Sequence, residues 1–147
     1  MPKVRRPLTV IDTNVFVANF LAKSPDSFNR KVIRSWLVHR DFTLVVSRQI
    51  VEEYLRVFED KLEFDRKAIA RWRERFKDRK VTRQVASDRK IEASRDSTDN
   101  MFLAAAVTAN APFVITNDRD LLDIDPAIQH ELKVQAIRPG EYLEKLK

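Results

Sequence analysis

The chain has no cysteine and a single glycine, Gly140, among its 147 residues. Without cysteine there can be no disulfide, no thiol nucleophile and no cysteine-ligated zinc or iron–sulfur centre, a composition that suits a reducing cytoplasm. P-loops and dinucleotide-binding fingerprints need several glycines so that backbone can approach phosphate, and this chain cannot supply them. Histidine is almost as scarce. His39 and His130 stand far apart, in no HExxH or His-x-His pattern, so histidine-rich metal chemistry and a Ser-His-Asp triad both lack their parts. Long apolar runs are missing as well: none approaches the roughly 20 residues of a membrane span. The apolar segment after the basic Met1–Arg6 stretch meets Asp12 too early to form a signal-peptide core. A soluble, cytoplasmic protein with no membrane partner is the expectation.

What is present is enough apolar residue, 44% of the chain, to bury one ordinary core without staples, so one domain over residues 1–147 is expected. Lys and Arg number 28 against 22 acids, a formal net charge of +6 that favours a polyanionic partner such as nucleic acid. The excess concentrates between Arg66 and Lys90. Arg71, Arg73, Arg75, Lys77, Arg79 and Lys80 lie there, with Arg89 towards its end, and the stretch reads equally as a solvated helix face or as a phosphate-tracking surface.

Leu8 to Ile11 is a short β-branched run ending abruptly at Asp12, the pattern of a buried strand that delivers a carboxylate to the carboxyl edge of a sheet. Val15 to Leu21 reads as a helix or a tight turn. Asp26 to Arg40 carries Phe28, Val32, Ile33, Trp36 and Leu37 at helical spacing, with Asp26 or Ser27 as N-cap. Phe42 to Val46 is a second strand, and Ser47 caps a helix marked by Val51, Tyr54, Leu55 and Phe58. Glu53 lies in its second turn, facing the crevice of Asp12, whereas Glu52 is rotated about 100° away. Further helices are expected over 66–76, 100–111 and 139–146, and strands over 81–85, 113–116 and 134–137, with Asp123 to Pro126 as loop. Strands alternating with helices imply an α/β fold with a mostly parallel sheet covered on both faces. Right-handed crossovers then bring Asp12, Glu53, Asp99 and Asp118 to one edge.

Each acid alone has an innocent explanation as a helix cap or turn residue, and Asp96 with Asp99 has the spacing of a capping box. Together they repel one another, and a divalent cation relieves the repulsion. Ligation by oxygen alone points to a hard ion, Mg²⁺ or Mn²⁺, and such ions suit phosphodiester hydrolysis by activating a water.

Four segments then stand in a telling order: Val10-Ile11-Asp12-Thr13-Asn14, Ser47-x5-Glu53, Asp96-x-x-Asp99-Asn100-x-Phe102-Leu103 and Val114-Ile115-Thr116-Asn117-Asp118-x-Asp120-Leu121-Leu122. This series resembles the four acidic motifs of PIN-domain nucleases, and most closely those of the compact prokaryotic members grouped with toxin–antitoxin toxins. The resemblance implies a single PIN-like domain in which Asp12, Glu53, Asp99 and Asp118 form the catalytic, metal-binding cluster. It makes Asp96 an auxiliary acid, gives Asn14 and Thr116 supporting roles in orienting the surrounding groups or the scissile phosphate, and leaves Asp120 outside the core set as structural. Ala18 replaces a frequent Ser and Asn117 a frequent Gly, departures that remove no ligand. An endoribonuclease acting on RNA, a small antitoxin protein as partner and a homodimer are the further implications.

Two other classes compete. An Asp-dependent phosphotransfer or phosphatase module also places an Asp after the first strand, but a haloacid-dehalogenase-like site wants a second Asp where this chain has Asn14, and a receiver wants an adjacent acidic pair that is absent. A non-catalytic PIN-like RNA-binding domain has no need of four mutually repelling carboxylates.

Overall fold

Strands that are apolar on both sides are buried most fully in the middle of a parallel sheet, and β1 (Leu8–Ile11) lies there, with Val10 and Ile11 wholly shielded from solvent. The computed structural model describes residues 6–86, 90–94 and 96–147. After β1 come α1 (Thr13–Leu21), α2 (Phe28–Leu37), β2 (Thr43–Val46), α3 (Arg48–Leu62), α4 (Arg66–Lys77) and β3 (Thr82–Gln84). A 3₁₀ turn (Ser97–Asp99) then leads to α5 (Asn100–Ala109), β4 (Phe113–Ile115), α6 (Arg119–Leu122), α7 (Pro126–Leu132), β5 (Gln135–Ile137) and α8 (Pro139–Lys145). The five strands are all parallel, in the order β3-β2-β1-β4-β5, with Thr9 opposite Phe113 and Ile11 opposite Ile115.

The order of the strands makes the crevice. From β1 the chain steps to β2 and β3 in one direction, and β4 and β5 extend the sheet in the other. Right-handed crossovers therefore put the helices between β1 and β3 on one face and those between β3 and β5 on the opposite face. The direction reverses between β1 and β4, so a crevice opens beyond their carboxyl ends, where open α/β sheets bind ligands. Under α1 to α4, Phe16 is the hub of an aromatic cluster, 4.7–6.0 Å from the rings of Trp36, Tyr54, Phe58, Trp72 and Phe76.

Local chemistry explains most boundaries. Ser47 caps α3 by accepting the Ile50 amide at 3.2 Å, as its sequence predicts. Ser27, not Asp26, stands at the start of α2, and its side chain makes no capping bond. The helix expected to reach Ala111 stops at Ala109, because Asn110 turns left-handed at φ 56°. α7 lies beyond the expected loop. Asp125 caps it through the Ala127 amide and Pro126 opens it, yet none of its residues is buried, so no apolar period announces it. With glycine so scarce, Arg40, Glu63, Asn110 and Lys133 take the left-handed positions, and Gly140 sits in α8 against the Phe28 ring, where an added Cβ would come within 3.0 Å. No helix among the described residues is long and apolar enough to cross a membrane. Arg89, Arg95 and Met1–Arg5 lie outside the described residues.

Candidate active site

Asp12 occupies the backbone position of an N-cap to α1; its side chain makes no capping hydrogen bond of good geometry, although the amides of Asn14 and Thr13 lie close enough to favour its charge. Its Oδ2 instead accepts the Thr116 hydroxyl at 2.7 Å, and Thr116 Oγ1 in turn accepts the Asp118 amide at 2.9 Å. One buried hydroxyl thus fixes both acids, across the neighbouring ends of β1 and β4. Asp118 Oδ1 accepts the Asp120 amide at 2.9 Å, so the turn expected of it is formed while the carboxylate still borders the crevice. Asp99 ends the 3₁₀ turn and heads α5 without capping it, and its Oδ2 accepts the Ser94 hydroxyl at 3.3 Å. Asp96 Oδ1 accepts both the amide and the hydroxyl of Thr98, at 3.0 and 2.7 Å. That is a local turn, in place of the capping box its spacing allows.

The crevice is lined by Asp12, Thr13, Asn14, Glu53, Asp99 and Asp118, with Lys61 of α3 among its other residues. Burial pushes the Asp12 carboxyl up to about 6, aided by the charge of Asp118 and opposed by the Thr116 hydroxyl. Burial also raises Asp99 to about 7, with Asp12, Asp118 and Asp96 adding repulsion and Ser94 opposing it. The hydrogen bonds from Thr98 hold Asp96 below the ordinary range. Carboxylate oxygens of Asp96, Asp99, Asp118 and Asp120 lie within 4.8 Å of one another, within the reach of one ion.

Not every expectation keeps its place. Asp120, read as structural, belongs to that four-carboxylate group, because the Asp118–Asp120 turn folds it back beside Asp118. Asp12 and Glu53 border the crevice but stand outside the group. Glu53 is engaged by Arg56, whose Nη2 lies 2.8 Å from Oε1 and 3.0 Å from Oε2. Asn14 Oδ1 accepts the Asn117 amide at 3.4 Å, tying α1 to the turn after β4.

None of Arg71, Arg73, Arg75, Lys77, Arg79 and Lys80 lines the crevice itself, although Arg73 pairs with Glu52, which borders an adjoining depression. Arg79 and Lys80 lie in the turn that feeds the amino end of β3, and Arg6, just before β1, donates to the Lys80 carbonyl at 2.7 Å. In a parallel sheet that is the edge opposite Asp12. Of the others, Arg73 pairs with Glu52 at 2.9 Å, Arg75 lies over the Trp72 ring at 4.5 Å, and Lys77 reaches Glu74 at 4.0 Å.

Three positioning groups escaped the sequence reading. Tyr54, counted there as an apolar helix position, donates its hydroxyl to the Ile11 carbonyl, tying the helix that carries Glu53 to the strand that carries Asp12. A buried phenol needs a partner, and that requirement was the available signal. Asn100 Oδ1 accepts the amides of Ala93 and Ser94, at 3.1 and 2.9 Å, and so places the Ser94 hydroxyl on Asp99. Nothing in the sequence singles out Ser94.

The donor set fits a hard divalent cation. It is all oxygen, two of its carboxyls are held above their ordinary range by burial and mutual repulsion, and the buried Thr13 hydroxyl at the crevice has no hydrogen-bond partner.

Comparison with solved structures finds the same fold in VapBC2 from Rickettsia felis, solved bound to a DNA fragment from its promoter. The TM-score is 0.54 and the identity 13%, over 89% of this chain and 98% of that one. A PilT N-terminus domain protein from the hyperthermophilic archaeon Sulfolobus solfataricus aligns with a TM-score of 0.54 and 17% identity, over 95% of this chain and 92% of that one. No curated protein sequence matches. The family model described as PIN domain matches residues 9–120, a span that runs from the strand before Asp12 to the last acid of the four-carboxylate group, and the chain belongs to that family.

Proposed function

We propose that this PIN domain is a Mg²⁺- or Mn²⁺-dependent endoribonuclease and the toxin of a toxin–antitoxin pair. The observation that carries the reading is the meeting of Asp12, Glu53, Asp99 and Asp118 in one crevice at the point where the strand order reverses. When bound, a hard divalent cation supplies Lewis acidity to the phosphodiester and to the attacking water. Asp99 and Asp118, common to the crevice and to the four-carboxylate group, would hold it together with Asp96 and Asp120, and with Asp12 and Glu53 from the crevice wall. The Thr116 hydroxyl keeps Asp12 and Asp118 in fixed relation. Near neutral pH the metal-free Asp99 carboxyl, at about 7, is partly protonated, so cation binding displaces a proton from it.

The test is incubation of pure protein with single-stranded RNA and Mn²⁺. Cleavage should appear, stop with EDTA, and be lost in Asp12→Asn and Asp99→Asn; cleavage that survives either variant would place the chemistry elsewhere. The toxin role draws support from the motif resemblance and the VapBC2 neighbour. Expression of the chain alone should arrest growth, and co-expression of a small protein encoded beside it should restore growth. Unimpaired growth of cells making active enzyme would remove that role.

A further inference from the structure

The crevice does not end at Glu53. It shares Glu53, Thr98 and Met101 with a second depression, lined also by Arg48, Gln49, Glu52 and Arg56 of α3 and by Val85 and Ala86 at the carboxyl end of β3. Arg48, Glu52 and Arg56 follow one another at i, i+4 and i+8 on a single helix face, so the two arginines stand roughly 12 Å apart along the axis. Glu52 between them is already paired with Arg73.

Arg56 is divided between two carboxylates. It forks onto Glu53, Nη2 donating to Oε1 at 2.8 Å and Nε to Oε2 at 3.3 Å, and reaches Asp60 at 3.6 Å, while its own side chain is 59% exposed and that of Glu53 only 22%. An exposed pair of this kind adds little to stability. Its position is what matters, because it joins a wall of the acidic crevice to a cation lining the next depression.

We propose, resting on the nuclease reading above, that this depression binds phosphates of the RNA strand flanking the scissile bond, and that Arg56 does so by exchanging Glu53 for a phosphate. Guanidinium matches carboxylate and phosphate with the same bidentate geometry, so the exchange replaces one fork by another. The strand then runs along α3, with Arg48 and Arg56 on its phosphates, and not past Arg79 and Lys80, which lie in the turn after α4 at the opposite edge of the sheet. Substrate arrival releases Glu53 to the crevice, so the last acid becomes available only when RNA is in place.

Binding of a fluorescently labelled single-stranded oligoribonucleotide to the full chain in EDTA, where hydrolysis cannot intervene, tests this by anisotropy. Arg56→Gln and Arg48→Gln should each weaken binding about tenfold and make the slope of log K against log salt shallower by about 0.7. Glu53→Gln should tighten binding severalfold by freeing Arg56, and should do nothing in the Arg56→Gln background. Additive effects of the two substitutions would overturn the exchange. A loss carried by Arg79→Gln with Lys80→Gln, in place of Arg48 and Arg56, would overturn the path. A Mn²⁺ titration without RNA gives an independent reading: Arg56→Gln should bind the ion more tightly than the parent, and equal or weaker binding would count against the exchange. A chain that binds RNA in this way but never cuts it refutes the nuclease reading alone, and one that cuts RNA with additive binding effects refutes this proposal alone.

Discussion

Beneath α1 to α4, Phe16, Trp36, Tyr54, Phe58 and Phe76 are fully buried, ring against ring, and the polar atoms among them, Trp36 Nε1 and the Tyr54 hydroxyl, each meet a backbone carbonyl. At the carboxyl edge the same helices meet a different arrangement: Asp12 and Asp99 are each 5% exposed, like charges face one another, and Thr13 Oγ1 is buried without a partner. The aromatic half buries its rings and satisfies the polar atoms they carry, and it holds the fold. The acidic half breaks several local rules at once, a cost that the proposed cation would relieve. Activity and stability should therefore separate by region.

The largest effect should come from the acidic half and fall on activity. Asp99→Asn should lower the rate of RNA hydrolysis by on the order of 10³-fold or more, while raising the melting temperature of the metal-free protein, because a neutral amide removes the repulsion from Asp12 and Asp118. Calorimetry beside a cleavage assay reads both. A variant that loses activity and stability together would show that Asp99 is a structural residue after all.

Phe16→Ala is the converse. Removing the ring that touches five others should cost about 3–5 kcal/mol. Denaturant unfolding measures the loss, and the folded fraction should retain its turnover. A cost below 1 kcal/mol would mean that the cluster repacks freely and does not hold the helices in place.

How much of this contrast the sequence shows follows from the same distinction. The aromatic half was legible because apolar residues at a 3.6-residue period have one way to be buried, and Asp12 and Asp118 were legible because each ends an unmistakable apolar strand. That Asp120 joins the four-carboxylate group was not legible, because its position depends on a side chain accepting an amide two residues away, which no periodicity reports. The position of the basic stretch relative to the acids left no mark in the sequence either. Counting charges along α4 says nothing of which sheet edge its end reaches; that depends on the parallel pairing of β3 with β2. Arg48 and Arg56, scattered along α3 without a run of charge, left no compositional mark.

The pH dependence of stability sharpens the contrast further. Asp12 and Asp99 have folded values raised to about 6 and about 7 from 3.8, so between about pH 4 and 7 the folded state holds more protons than the unfolded one. Stability of the metal-free protein should then fall as pH rises through that window, with the buried Asp12 contributing on the order of 3 kcal/mol. Saturating Mg²⁺ should flatten the profile, since the cation takes the place of the protons. Thermal unfolding at a series of pH values, with and without Mg²⁺, checks it. A metal-free profile that is flat or rises from pH 4 to 7 would remove the claim that the acidic half is destabilised by its own charge.

The smallest effect asks whether broken local rules are confined to the crevice. Lys133 closes α7 at φ 60°, a conformation that glycine adopts without strain and that disfavours a side chain bearing a Cβ by roughly 1 kcal/mol. Against this, glycine loses more backbone freedom on folding, so the two terms partly cancel. Lys133→Gly should therefore raise stability by about 0.5 kcal/mol, with RNA cleavage unchanged, as measured by denaturant midpoint and turnover. The strain there follows from a chain poor in glycine and serves no chemistry, so relieving it should leave activity untouched, whereas relieving the repulsion at Asp99 should abolish it. If Lys133→Gly instead lowered activity, α7 would have to be counted with the acidic half, because it links α6, which follows directly on Asp118, to the last strand.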